Sequence, residues 1–323
     1  MAKRMSKALQ TAARYVLLAF GVVFAASFAG SPHFRSAVPG YIWVTEAVYM
    51  LWGNLNTDLR EDFVWFDKRV QPADLDAFAA QCAITGFEDG AVRWNSPIGI
   101  FWLTPEEGPM SLRDMAMIIQ QEVYSHKGRT VEPGDIVLDC GAHLGSFTRY
   151  ALNKGAGMVV AIEPSTEKIA CLKKTFSTEI AAGKVVLLQV GVWSKEDKLW
   201  LEGRPSLGNS VVASGKPGEG EGEWIRVMTI DQLMTERKLP RLDFLKMDIE
   251  GAETEALRGA HGTIRKFHPF LAIATEHTSD YAKNVRSVIE SVKESKVDYK
   301  IGFGRYGHTP RKPYAPMEAF FYR

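Results

Sequence analysis

Cysteine is scarce in this chain of 323 residues, which has only Cys82, Cys140 and Cys171. Three scattered cysteines cannot form the disulfide framework of a small secreted protein, and their spacing does not match a zinc knuckle. An excess of charge is also lacking, because 39 lysines and arginines face 38 aspartates and glutamates. This balance excludes the strongly basic surface of a dedicated nucleic-acid-binding protein. The composition, 46% hydrophobic, indicates a globular protein, and the few scattered cysteines indicate a reducing compartment.

Residues 1–55 are predicted to form a membrane anchor or a membrane hairpin. Tyr15–Ala29 has no charged residue and follows four basic residues, which is the layout of a signal sequence or a short anchor. A second apolar stretch, residues 37–53, contains aromatic side chains that suit a membrane interface. Three alternatives stay open, namely a cleaved signal, an organelle transit peptide, and an amphipathic helix that packs on the folded domain. In the leading interpretation, residues 15–53 contact the membrane.

Residues 56–130 are predicted to form a cap of helices and a hairpin. The pattern predicts a helix over Thr57–Gly90, with apolar side chains on one face. Two short runs, Ala91–Trp94 and Ile98–Leu103, predict a β-hairpin. A further helix is expected to start at Ser111, as its cap, and to end near Tyr124.

Residues 131–323 alternate between strand and helix patterns and are predicted to form an α/β domain with an open parallel sheet. The helices are expected to begin near residues 145, 165, 252 and 280. The predicted strands are Ile136–Asp139, Met158–Glu163, Val185–Val190, Phe244–Asp248 and Phe270–Glu276.

A glycine-containing loop follows the first of these strands, in the run from Asp139 to Gly145. Glycines let the backbone turn tightly and approach a ligand, and the helix that follows offers free N–H groups to an anionic group. The next strand ends at Glu163, where a carboxylate can bind the two hydroxyls of a ribose. The candidate cofactor-binding residues are Asp139, Gly141, Ala142, Gly145, Glu163 and, as part of an apolar slot for adenine, Val192.

The same loop argues against a dinucleotide cofactor, because it reads D-x-G-x-x-x-G rather than G-x-G-x-x-G and has an acid where a diphosphate would be repelled. A nucleoside with a zwitterionic amino-acid end fits better, and S-adenosyl-L-methionine is such a molecule. The pattern therefore predicts S-adenosyl-L-methionine as the cofactor. A nicotinamide-dependent oxidoreductase is the disfavoured alternative.

The candidate catalytic residues are Asp248, Glu250 and His277, which follow the fourth and fifth predicted strands. Ligands of open α/β sheets bind beyond the carboxyl ends of the strands, so these side chains should face the same crevice as the glycine loop. Methyl transfer to a hydroxyl needs alignment of donor and acceptor and removal of a proton. Asp248 or His277 could take that proton. A divalent metal held by Asp248 and Glu250 is a less favoured alternative, and no metal ligands are assigned.

The sequence resembles the FkbM-type family of S-adenosylmethionine-dependent methyltransferases. The resemblance covers about residues 133–277 and is weaker over residues 97–124. It rests on the runs at residues 133–142, 163–164 and 229–231 and above all on residues 244–253, which read FLKMDIEGAE. It implies a Rossmann-like class I fold, O-methylation of a hydroxyl, a cofactor site at Asp139, Gly141, Gly145 and Glu163, and a reaction site at Asp248 and Glu250.

The leading hypothesis is a membrane-associated O-methyltransferase that acts on a hydroxyl of a sugar, glycolipid or natural-product acceptor. Its catalytic domain is expected on the cytoplasmic side, where S-adenosylmethionine is made. The alternative is a non-catalytic subunit with the same fold that acts as a scaffold in a membrane complex. No nucleic-acid partner is expected.

Overall fold

The computed structural model describes residues 77–202, 210–212, 222–277, 281–304, 306–309 and 312–323. The prediction for residues 1–55 lies outside this part of the chain. Apart from residues 308–309 and 312–315, the described residues belong to one compact unit. The division into a cap at 56–130 and a methyltransferase domain at 131–323 stays a prediction.

The five strands predicted over residues 136–276 are present, but the described residues between 185 and 228 form strands without an intervening helix. The helices are α1 (Pro109–Gln120), α2 (Ser146–Asn153), α3 (Thr166–Thr175), α4 (Ser177–Ala181), α5 (Ile230–Glu236), α6 (Glu253–Arg258), α7 (His261–Phe267) and α8 (Tyr281–Glu294). The strands are β1 (Ala83–Glu88), β2 (Ala91–Ser96), β3 (Gly99–Leu103), β4 (Ile136–Cys140), β5 (Met158–Ile162), β6 (Val185–Leu188), β7 (Gly191–Val192), β8 (Asp197–Glu202), β9 (Ser210–Val212), β10 (Gly222–Met228), β11 (Phe244–Met247), β12 (Phe270–Ala274), β13 (Lys300–Phe303), β14 (Tyr306–Thr309), β15 (Lys312–Pro316) and β16 (Glu318–Tyr322).

The central sheet has seven strands in the order β13-β16-β12-β11-β4-β5-β6. The strands from β12 to β6 pair in parallel, and β16 pairs antiparallel with both β12 and β13. The predicted α/β class is therefore confirmed, but the sheet is mixed rather than wholly parallel. The strand order reverses between β4 and β11, and in open α/β sheets this is where ligands bind.

Buried aromatic rings hold the sheet and its helices together. The ring of Phe244 on β11 lies 5.6 Å from that of Phe147 on α2 and 4.9 Å from that of Phe270 on β12. The Phe270 ring is in turn 6.0 Å from that of Phe320 on β16. Pairs at such distances stabilise a core beyond the area that they bury. This cluster fixes the strands whose carboxyl ends form the candidate site.

The cap differs from its prediction at both ends. A strand, β1, occupies part of the predicted helix Thr57–Gly90, and it pairs antiparallel with β2. Asp89 and Gly90, which connect β1 to β2, have φ values of 48° and 77°, as in the tight hairpin turns that Asp-Gly favours. Helix α1 begins at Pro109 with Gly108 as its cap, so Ser111 is not the cap residue, and its hydroxyl donates to the carboxylate of Glu107.

No helix among the described residues is long and apolar enough to cross a membrane. A spanning helix needs about 20 consecutive apolar residues, whereas α8 has 14 residues and carries charged side chains. The uncharged run Tyr15–Ala29, on which the membrane prediction rests, is itself shorter than a span and lies outside the described residues. The described residues therefore do not support the predicted N-terminal membrane segment or the membrane-associated location. The fold class is corrected to α/β with mixed sheets.

Gly145 precedes α2 and is required by packing. It has φ of 91°, and a Cβ there would lie 2.3 Å from the ring of Phe176, which is fully buried. Gly183 has a similar φ of 70° with nothing within 4 Å of a Cβ. Both glycines therefore have a left-handed backbone conformation, but only Gly145 lacks room for a Cβ.

We expect Gly145→Ala to reduce the free energy of unfolding by about 1–3 kcal/mol more than Gly183→Ala does, because overpacking adds to the backbone strain that both share. Chemical denaturation of the two variants and the unaltered protein measures this difference. Equal losses would show that the contact with Phe176 is unimportant.

Candidate active site

A cavity of about 200 Å³ opens at the carboxyl ends of β4, β5 and β11. Donor-side and reaction-side residues from the sequence prediction line it together, namely Gly141, Glu163, Val192, Asp248 and Glu250. The remaining predicted residues, Asp139, Ala142, Gly145 and His277, do not line it. Each of these four touches a residue or loop that forms the site.

The loop after β4 lies directly against the loop after β11. Gly141 has φ of 80°, and a Cβ there would lie 1.9 Å from the carbonyl oxygen of Asp248. The N–H of Asp248 donates to the carbonyl of Cys140 at 3.1 Å. Only glycine allows two backbones to approach this closely. Gly141 therefore joins the two halves of the site.

Glu163, at the end of β5, is held by the backbone. Its Oε1 accepts from the N–H of Ser165 at 3.0 Å, and its Oε2 accepts from the N–H of His143 at 2.9 Å. Each carboxylate oxygen has a further lone pair, so the fixed group can still accept two hydrogen bonds from a ligand. This arrangement suits a pair of hydroxyls.

Asp139 is fully buried and its charge is satisfied by the protein. Its Oδ1 lies 3.1 Å from Nζ of Lys246, and its Oδ2 accepts from the hydroxyl of Thr148 at 2.7 Å. Lys246 also donates to the carbonyl of Gly141 at 2.7 Å. Burial lowers the pKa of Lys246, but attraction to Asp139 and then Asp248 raises it more. Asp139 therefore holds Lys246 in place, and Lys246 in turn holds the glycine loop through the carbonyl of Gly141.

Asp248 accepts hydrogen bonds on both of its oxygens. Tyr124 donates to Oδ2 at 2.6 Å, and Nε2 of His277 lies 3.1 Å from Oδ1. Burial would raise the pKa of Asp248, but the charge of Lys246 and the contacts with His277 and Tyr124 hold it well below its usual range. Asp248 is therefore an ionised group with a fixed orientation.

His277 lies between two carboxylates. Its Nδ1 is 3.0 Å from Oε1 of Glu253, which is fully buried. Burial alone would lower the pKa of His277, but the hydrogen bonds with Asp248 and Glu253 raise it to about 12. Each ring nitrogen that carries a proton donates to the carboxylate beside it. The role of His277 as a base stays a prediction.

Glu250 reaches the cavity from a turn with unusual backbone geometry. Its φ is 57°, in the left-handed region, and that of Gly251 is 100°. Glu253 stabilises the turn by accepting from the N–H groups of Ile249 at 3.1 Å and Gly251 at 3.3 Å. Burial raises the pKa of Glu250. The turn presents Glu250 rather than Glu253 to the cavity.

Several cavity residues were not predicted from the sequence. Tyr124, Lys168 and His143 line the cavity. Nε2 of His143 lies 3.5 Å from Glu107, and a hydrogen bond between the two, with smaller contributions from Ser111, lowers the pKa of Glu107 to about 2. The position of His143 within the glycine loop was a signal in the sequence that it lies near the candidate site. Tyr124 comes from the cap and has no such motif.

The methyltransferase FkbM domain matches residues 139–300, and the chain belongs to this family. A hexuronic acid methyltransferase, AglP of Haloferax volcanii, is 24% identical over 176 residues, which are 54% of this chain and 70% of AglP. The AMB antimetabolite synthetase AmbE of Pseudomonas aeruginosa is 25% identical over 181 residues, but these are 8% of AmbE and 44% of this chain.

Two solved structures of methyltransferases match the chain at low sequence identity. Methyltransferase FkbM of Methylobacillus flagellatus is 20% identical with a TM-score of 0.46, and the match covers 77% of this chain and 58% of that one. Fibrillarin of Aeropyrum pernix, solved with S-adenosyl-L-methionine bound, is 10% identical with a TM-score of 0.37, over 74% of this chain and 98% of that one.

The buried pair of Asp139 and Lys246 gives a test of what holds the site together. Lys246→Met leaves Asp139 buried without its counter-charge, and such losses cost about 3–5 kcal/mol. We expect this reduction in the free energy of unfolding, measured by chemical denaturation. Lys168→Met is the matched control, because Lys168 also lines the cavity but is only half-buried, and it should cost less than about 1 kcal/mol. Similar losses in both variants would contradict the assignment.

Proposed function

We propose that this protein is an S-adenosyl-L-methionine-dependent methyltransferase that transfers a methyl group to a hydroxyl of a sugar or of a sugar-containing acceptor. One observation carries the proposal. A single cavity is lined by Gly141 and Glu163, which suit a nucleoside, and by Asp248 and Glu250, which suit a reacting hydroxyl. Membership of the FkbM methyltransferase family supports it.

The donor is proposed to lie across the ends of β4 and β5. The carboxylate of Glu163, held by two backbone N–H groups, binds the ribose hydroxyls. Val192 and Val227 provide an apolar wall for adenine. Gly141 lets the backbone approach the amino-acid end of the donor.

The acceptor is proposed to enter from the side of Asp248. Methyl transfer is an in-line displacement, in which the acceptor oxygen forms a bond to the methyl carbon as the sulfur–carbon bond breaks. The donor leaves as S-adenosylhomocysteine, and the hydroxyl proton passes to the carboxylate of Asp248. Asp248 accepts a hydrogen bond from the hydroxyl and aligns it, which is the main contribution an enzyme can make to such a step.

A sugar acceptor is supported by the relative AglP, whose name describes methylation of a hexuronic acid. The cavity also contains Lys168, for which the described residues provide no ion pair, so an anionic group on the acceptor would find a counter-charge there. The alternative of a non-catalytic subunit is tested by the same measurements, because it predicts no binding of the donor.

We expect Glu163→Gln to weaken S-adenosyl-L-methionine binding by about 10- to 100-fold, because a charged acceptor of two hydrogen bonds is replaced by a neutral one. Isothermal titration calorimetry measures the dissociation constant. Glu167→Gln is the matched control, because Glu167 lies near Glu163 but is exposed and outside the cavity. If the unaltered protein binds no donor, the proposed function is rejected.

We expect Asp248→Asn to leave donor binding intact but to lower turnover by about 10²- to 10⁴-fold, the usual size of a lost acid–base or orienting group. Transfer of a labelled methyl group to a panel of hexuronic acid and neutral sugar glycosides measures turnover. The exposed Asp298→Asn is the control. Full activity of Asp248→Asn with weakened donor binding would refute the proposed role.

A further inference from the structure

Three side chains from neighbouring strand ends bring their polar atoms together beside the donor cavity. Asp248 and Glu250 follow β11, His277 follows β12, and one ligand atom of each lies within 4.8 Å of the others. Nε2 of His277 is 3.1 Å from Oδ1 of Asp248 and 3.8 Å from Oε2 of Glu250. Two ligands at right angles around an octahedral ion, each about 2.1 Å from it, are about 3.0 Å apart. The spacing therefore suits a shared metal ion.

In His277 and Asp248, the second polar atom of the side chain contacts another protein side chain. Glu253 holds Nδ1 of His277 at 3.0 Å, which turns Nε2 towards the carboxylates. Tyr124 holds Oδ2 of Asp248 at 2.6 Å, which leaves Oδ1 on the side of His277. Metal-binding histidines almost always have their second nitrogen held by a carboxylate or carbonyl, and metal-binding carboxylates are themselves hydrogen-bonded. The cluster has both of these outer contacts.

The charge of the region also favours a cation. Four carboxylates lie there, from Asp139, Asp248, Glu250 and Glu253, whereas the cations are Lys246, Lys168 and, when protonated, His277. Lys246 is taken up by Asp139 and by the carbonyl of Gly141. A negative charge therefore remains in both states of the imidazole. A divalent ion would neutralise it and displace the imidazole proton, as metal binding to histidine does.

We propose that Asp248, Glu250 and His277 form a binding site for a divalent cation of the Mg²⁺ or Mn²⁺ type. Two carboxylates and one imidazole, in a half-exposed position, suit these ions better than a soft metal that prefers thiolates. A bound cation would polarise an acceptor hydroxyl in the cavity. This catalytic role rests on the proposed function, but binding of the cation does not.

The test is a titration of the full-length protein with Mn²⁺ after removal of metals by a chelator. The electron paramagnetic resonance signal of free Mn²⁺ decreases when the ion binds, and this decrease should correspond to one bound ion per chain. Glu250→Gln should weaken binding by at least about 10-fold, because it removes one ligand from the set. Glu250 is partly exposed, so the variant should fold. Glu290→Gln changes an exposed glutamate on α8 in the same way and should leave Mn²⁺ binding unchanged.

A spectroscopic signature identifies the imidazole. Nitrogen coupling to bound Mn²⁺ should be seen in pulsed measurements and should be lost in His277→Ala. The proposal is overturned if no Mn²⁺ binds, if Glu250→Gln binds it as well as the unaltered protein does, or if S-adenosyl-L-methionine displaces it competitively. Donor binding measured without Mn²⁺ separates this result from the proposed function, since that function fails only if the donor does not bind.

Discussion

The candidate site depends on the close approach of the loop after β4 to the loop after β11. Gly141 lets the backbone carbonyl of Asp248 come so near that any Cβ would collide with it. The ammonium of Lys246 lies beside this contact, where it pairs with Asp139 and donates a hydrogen bond to the carbonyl of Gly141. One buried cation thus fixes a glycine loop and a reaction-side strand in a single geometry. Hydrogen-bonded partners of this kind rigidify a site when all of them are satisfied.

This arrangement gives chemically similar carboxylates different tasks. Asp139 is fully buried and satisfied by Lys246 and Thr148, so it supports the loop. Glu253 is also fully buried and orients His277 and the turn before α6. Asp248 and Glu250, which are partly exposed, reach the cavity. Burial therefore separates the two groups. The partly exposed carboxylates can act on a ligand, and the fully buried ones hold them in place.

The strand-and-helix order was predictable from sequence because parallel strands buried on both faces read as short apolar runs between turn signals. The carboxylates at their ends were predictable because such ends meet at one edge of the sheet. The direction of each side chain was not, and Asp139 accordingly lies behind the loop rather than in the cavity. The strand β1 was missed because the apolar spacing around Phe78 favours a helix, although Asp89-Gly90 carries a hairpin signal. Tyr124 depends on long-range packing that has no local pattern.

Sequence separation also explains why the cluster around His277 could not be evaluated from motifs alone. His277 follows β12, and Asp248 and Glu250 follow β11, so their distances depend on the register in which Met247 pairs with Ile273. A shift by one residue along that pair would turn the side chains to opposite faces of the sheet. The buried rings of Phe244 and Phe270 at the start of the same two strands oppose such a shift. The core packing at one end of the strands therefore determines the chemistry available at the other.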